Sequence, residues 1–124
     1  MPKDKVFRLT VPGWHPARLN QWDGCHWSRR SRLKKADREL IACYARLAEI
    51  ALATGKRRVS LHLTLGPGQR AGDPDSYWKS LLDALTHAGL LVDDNRQNVE
   101  LGPVHFVRGE TCETLVILED LICT

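Results

Sequence analysis

At 124 residues, 43% hydrophobic and 27% charged, the chain has the composition of one folded domain with its own core, not of a disordered segment. No apolar run approaches the roughly 20 residues of a membrane span, and Met1-Pro2-Lys3-Asp4-Lys5 leads into no apolar signal core, so a cytoplasmic protein without membrane contact is expected. The net charge of +3 conceals a split: residues 1–72 hold 15 Lys or Arg against 5 Asp or Glu, and residues 73–124 hold 3 against 10. A basic half suits a polyanion and an acidic half suits cations, although two solvated faces of opposite sign explain the split equally simply.

Val6 to Val11 alternates as a first strand and Pro12-Gly13 ends it. Trp14 to Ser28 has no period. Pro16, Asn20, Asp23 and Gly24 mark it as a loop carrying Trp14, Trp22 and Trp27, which suit either core packing or stacking on bases. Ser31 can cap a helix from Arg32 to Thr54, with Leu33, Ala36, Leu40, Cys43, Tyr44, Leu47, Ile50 and Ala51 as its apolar stripe and Gly55 as its stop. Arg29, Arg30, Arg32, Lys34, Lys35 and Arg38 crowd its start, where cations oppose the helix dipole. That local cost points to an anionic partner, with a solvated basic face as the competing explanation.

Arg57 to Leu65 is a half-buried strand, with Val59, Leu61, Leu63 and Leu65 on one face. After Gly66-Pro67-Gly68 and a Gln69–Gly72 approach, a second helix is expected from Asp73 to Gly89, burying Trp78, Leu81, Leu82, Leu85 and Ala88. Val99–Val107 and Thr114–Leu118 read as two strands forming a hairpin around Arg108-Gly109-Glu110, with Pro103 marking a bulge or an edge. The order β-α-β-α-β-β implies one α/β (α+β) domain over residues 1–124, with two main helices and a mixed or largely antiparallel sheet. Cys25, Cys43, Cys112 and Cys123 form no Cys-x-x-Cys pair. They read as reduced, small apolar residues in or near the core, ahead of a zinc site built on Cys25 and His26.

Asp73 to Asp94 is the most informative stretch. Asp73-Pro74 is a helix cap followed by a favoured first-turn proline, and Asp75, Lys79 and Asp83 share one helical face as ordinary ion pairs would. Neither explanation covers Asp93-Asp94, which follow a Gly89 break able to fold the chain back. A few carboxylates suffice for Mg²⁺, which supplies charge compensation and an activated water in phosphodiester hydrolysis, and a lysine can steady developing negative charge.

The run Asp73-Pro74-Asp75-Ser76, Lys79, Asp83-Ala84-Leu85-Thr86-His87-Ala88-Gly89 and Asp93-Asp94 resembles the signature of RusA-type Holliday junction resolvases, approximately D-x-D-N-x-x-K-x-x-x-D-A-L-x-x-x-G and a later D-D. The element order resembles that family more loosely across most of the chain. The resemblance implies a bacterial or phage-encoded homodimer that resolves branched DNA by paired symmetric nicks in recombination and repair, using Mg²⁺ with Mn²⁺ as a substitute. It implies that Asp73, Asp75 and Asp94 are metal-binding catalytic carboxylates and that Lys79 is the important lysine. Asp83 and Asp93 are either outer-shell supports of the site or plain helix and turn residues, with the plain reading slightly favoured. Arg29, Arg30, Arg32, Lys34, Lys35, Arg58 and Arg70, with the Lys56-Arg57-Arg58 run, are the candidates for gripping phosphates. Ser76 departs from the family asparagine and has one fewer donor and shorter reach. Two other readings are a branched-DNA-binding protein that has lost turnover and a small metal-dependent phosphatase.

Overall fold

A computed structural model describes residues 5–18 and 27–121. The elements are β1 (Val6–Pro12), α1 (Trp27–Leu47), β2 (Arg57–Leu65), a 3₁₀ turn (Pro74–Tyr77), α2 (Trp78–His87), β3 (Val99–Arg108) and β4 (Glu113–Asp120). The α+β class, the element order and the mixed sheet are those expected. The sheet order is β1-β4-β2-β3, with β4 antiparallel to both of its neighbours and β2 parallel to β3.

The terminal hairpin does not form. β2 lies between β3 and β4, and residues 109–112 carry the chain over its end. There the Gly109 amide donates to the Leu65 carbonyl at 3.0 Å. β2 takes the central place because its alternate residues Val59, Leu61, Leu63 and Leu65 are all buried, whereas β3 is mostly exposed. Between Val59 and Leu61, β3 advances from Leu101 to Val104, so one extra residue bulges at Gly102-Pro103. Pro103 thus lies both on an edge strand and at a bulge. A Cβ at Gly102 would meet the Ser60 hydroxyl and lie 3.1 Å from the Val59 carbonyl, tight room that suits glycine.

The helices pack on the face of the sheet that carries Leu9, Val11, Val59, Leu61, Leu63, Val116 and Leu118. α2 adds Trp78, Leu81, Leu82 and Leu85 as expected, each worth about 1.5–3 kcal/mol when fully buried. α1 differs from its expected form. It begins before Arg32, so Ser31 lies inside it, and it buries Ile41 and Ala45 while Ala36, Cys43 and Leu47 are exposed. The cysteine expectation therefore fails at Cys43 and holds only in part at Cys112, which is half-buried. Cys25, His26, Cys123 and Trp22 lie outside the described residues.

Why α1 stops early is visible at Glu49. The Glu49 amide donates to Arg46 at 3.1 Å and the Ile50 amide to Ala45 at 3.1 Å, with Glu49 at φ 55°. This is the left-handed helix stop usually taken by glycine, as at Gly89 (φ 80°) after α2. Beyond it Ala51 and Ala53 are held elsewhere: the Ala51 carbonyl accepts from Arg57, and the Ala53 amide donates to the Gly89 carbonyl. Glu49 is exposed and makes no side-chain bond among the described residues, so Glu49→Gly is expected to raise stability by about 1 kcal/mol. A thermal melt should move up by a few degrees. An unchanged or lower midpoint would show that the left-handed backbone carries no strain there.

Asp37 occupies the buried side of α1, and its carboxylate accepts the Trp14 indole N–H at 3.1 Å. Burial foremost raises its pKa above 3.8. The Trp14 hydrogen bond opposes that shift and the Asp83 charge adds to it. With the folded pKa above the unfolded one, stability from this group is present below about pH 3.8 and is lost as pH rises through the folded value. Asp37→Asn, which keeps an acceptor for Trp14, is therefore expected to be more stable than the parent at pH 7, with the gap closing below pH 4 in urea titrations. A gap that is constant with pH would assign the effect to packing alone. Trp14 is thus a packing residue: its indole is tied to α1 and its carbonyl accepts from Thr114.

Candidate metal and nucleic-acid site

The acidic stretch starts as its sequence suggests. Asp73 is extended (φ −63°, ψ 126°) and its carboxylate accepts the Asp75 amide at 3.1 Å, capping the 3₁₀ turn with Pro74 at its start. Only Oδ1 is used in this cap, which leaves Oδ2 for another partner. Asp73 and Asp75 are exposed, and neither has an ion pair among the described residues. The Ser76 hydroxyl donates to the Asp73 backbone carbonyl at 2.6 Å, so this departure from the family asparagine serves the turn and not a carboxylate.

Lys79 lies in the first turn of α2, exposed and without an ion pair among the described residues. The expected Asp75–Lys79–Asp83 ladder is absent. Asp83 instead receives a bidentate pair from Arg38 on α1, with both N–O distances 3.0 Å. That bond ties the two helices together. Asp93 is a turn residue whose carboxylate accepts the Asp94 amide at 2.8 Å, and both Asp93 and Asp94 are exposed.

Asp94 does not join Asp73 and Asp75 within one chain. Among the described residues no three His, Cys, Asp or Glu side chains gather where they could hold a metal. The topology explains this. Asp73 follows the C-terminal end of β2, whereas Asp94 precedes β3, whose parallel pairing starts at Arg57–Val99. The intervening 3₁₀ turn and α2 span roughly 20 Å, and the Gly89 turn continues toward the N-terminal end of β2. There Leu90 and Asn98 bond to Arg57. The two ends of the acidic stretch therefore lie toward opposite ends of the parallel β2–β3 pair. The donor chemistry at Asp73 and Asp75 still fits a hard divalent cation, because Mg²⁺ commonly takes one or two carboxylates and keeps several waters.

The basic candidates divide. Arg29, Arg32 and Lys35 recur every third residue on α1 and are exposed, with Arg30 and Lys34 half-buried beside them. No acidic residue offsets the dipole in the first turn. Arg70 is exposed in the approach to Asp73. Arg58 is not a free phosphate grip: it pairs with Glu100 and with Glu119 (2.7 Å). Nor is Arg57, whose side chain is 1% exposed and whose guanidinium donates to Asp120 (2.6 Å), Leu90 (2.9 Å) and Ala51 (2.8 Å) over the Phe7 ring. Acidic cross-strand neighbours absorb both arginines, and a basic run read alone does not reveal those neighbours.

Sequence reasoning also missed His15, Arg18, Gln69 and Tyr77, which surround a cavity next to Asp73. His15 and Arg18 fall in the long loop before α1, and that length is their sequence signal, whereas Gln69 and Tyr77 flank Asp73 on its own segment. Among the described residues no helix is long and apolar enough to cross a membrane. No protein-family model matches this chain, and no curated protein matches its sequence.

Proposed function

We propose that this chain is a metal-dependent nuclease for branched DNA, of the RusA-type Holliday junction resolvase kind, and that it works as a homodimer. The observation that carries the reading is the pair Asp73 and Asp75: two exposed carboxylates, two residues apart, with no ion pair among the described residues, followed by Lys79, which has none there either, and preceded by a basic approach segment. Carboxylates kept only for helix stability would be expected to take up the cations around them, as Asp83 does with Arg38.

Asp73 and Asp75 would hold a Mg²⁺ ion, which supplies charge compensation and a more acidic water. Lys79 would steady negative charge as the phosphodiester opens. Arg29, Arg32, Lys35 and Arg70 would grip strand phosphates, making affinity fall steeply with salt. The homodimer gains a second purpose from the topology. Asp94 lies toward the other end of the β2–β3 pair from its own chain's Asp73 and Asp75, so a two-fold partner would be the source of the third carboxylate.

Incubating the protein with a synthetic four-way junction in Mg²⁺ should give paired nicks on opposing strands, and linear duplex should be left intact. A second reading, binding of branched DNA without turnover, draws on the separation of the carboxylates within one chain. Tight junction binding with no nicks in either Mg²⁺ or Mn²⁺ would replace the first reading with this one.

A further inference from the structure

We propose that the cavity at the C-terminal end of β2 is a phosphate subsite that seats a backbone phosphate of the bound strand, next to the one at Asp73 and Asp75. The inference rests on the nuclease reading for where the strand lies and adds a site of its own. The cavity, of about 290 Å³, is lined by His15, Pro16, Arg18, Gln69, Arg70 and Tyr77. Its size is at the lower limit for small-molecule clefts, suited to a phosphate and part of a sugar and not to a stacked base pair.

Its chemistry is one-sided. Two arginines and a histidine line it and, among the described residues, no carboxylate does. Elsewhere Arg38, Arg57 and Arg58 each bond an acidic side chain, but Arg70 has no such partner among the described residues. Hydrogen-bond donors converge with the charge. The Tyr77 hydroxyl accepts the Gly72 amide at 3.0 Å, which leaves its own proton for another acceptor. The His15 Nε2–H donates to the Thr64 carbonyl at 2.8 Å, which anchors the ring to the sheet. Arg108 donates to the Gln69 carbonyl at 2.8 Å and so anchors the opposite wall.

Gly72 sets the distance to the acidic pair. A Cβ there would lie 2.7 Å from Arg18 Cδ, 3.1 Å from its Nη1 and 2.9 Å from the Tyr77 hydroxyl. The Arg18 guanidinium therefore lies against the backbone one residue before Asp73, in room that any larger residue would claim. Cations on one side of Asp73 and carboxylates at it match the alternation a strand needs: one phosphate gripped, its neighbour exposed to hydrolysis.

The test is equilibrium binding of a fluorescent four-way junction in EDTA, where cleavage plays no part, over a range of salt. The Arg18→Gln/Arg70→Gln variant is expected to flatten the slope of log affinity against log salt by about one or more, with Arg70→Gln alone giving about one and leaving the thermal melt unchanged. Arg46→Gln, at the far end of α1, should leave the slope as it is. An unchanged slope in the double variant overturns the subsite. A second measurement identifies the source of the phosphate: the Gly72 and Tyr77 amide resonances should shift with a short single-stranded oligonucleotide far below the concentration needed with inorganic phosphate or dTMP. Saturation by dTMP at equal or lower concentration would make this a nucleotide site and overturn the strand assignment. The outcomes separate from the nuclease reading. Nicking with an unchanged slope removes the subsite alone, and a flattened slope in a protein that never nicks removes the nuclease alone.

Discussion

Asp75→Asn should lower junction cleavage in Mg²⁺ by about a thousandfold or more, and Asp94→Asn should do the same. Under the proposed nuclease reading each would lose a carboxylate from a site in which metal-assisted charge stabilisation would supply several kcal/mol, and ~4 kcal/mol corresponds to about three decades in rate. The informative experiment mixes the two inactive variants. If Asp94 acts on the partner's Asp73 and Asp75, a mixed dimer has one site with both defects and one fully wild-type site. Activity should then return to roughly a quarter of the wild-type level under statistical mixing, as single nicks and not as coupled pairs. If the three carboxylates act within one chain, every site in the mixture carries one defect and the activity stays at the level of the parents. A dead mixture of two folded, exchanging dimers would rule out the shared site. The topology favours sharing, because the acidic stretch starts beyond one end of β2 and finishes toward the other.

The second large effect concerns stability. Arg57→Met is expected to cost about 3–5 kcal/mol, a large part of the 5–15 kcal/mol that holds a typical domain together. Its buried guanidinium is the shared donor to two backbone carbonyls, Ala51 and Leu90, and to the Asp120 carboxylate. Removing it strands the buried Leu90 carbonyl and leaves the part-buried Ala51 carbonyl unmet, while the Asp120 carboxylate can turn to water, and an unmet buried carbonyl costs about 1–3 kcal/mol. Arg57→Lys should recover less than half of the loss, since one ammonium cannot reproduce the rigid fork that reaches three directions. Urea unfolding followed by circular dichroism should show a lower midpoint with the slope preserved. Arg58→Met is the comparison: its pairs are partly exposed, so about 1 kcal/mol or less is expected. Equal effects at the two positions would contradict the role given to Arg57.

The two arginines show what a linear reading lacks. Lys56-Arg57-Arg58 looks like one basic patch in sequence, yet strand alternation sends Arg57 into the core and Arg58 to the opposite face. Which acids meet them depends on Glu100, Asp120 and Glu119, which are 42 to 63 residues away. The early end of α1 has a similar cause. Ile50 and Ala51 fit the helical period, but Arg57 and Gly89 claim the backbone groups that would have continued the helix.

The amino-acid order by itself determined the elements whose cues are local: the alternation from Arg57 to Leu65, the apolar face of α2, the Asp73-Pro74 start, the Gly89 stop and the α+β class. Periodicity and capping are complete within a few residues, so they survive without knowledge of the fold. Only the tertiary structure decided that β2 separates β3 from β4, that Asp83 belongs to Arg38, and that Asp94 lies an α-helix away from Asp73. Those outcomes depend on which distant groups compete for the same backbone edge or charge, and adjacency along the chain does not encode that competition.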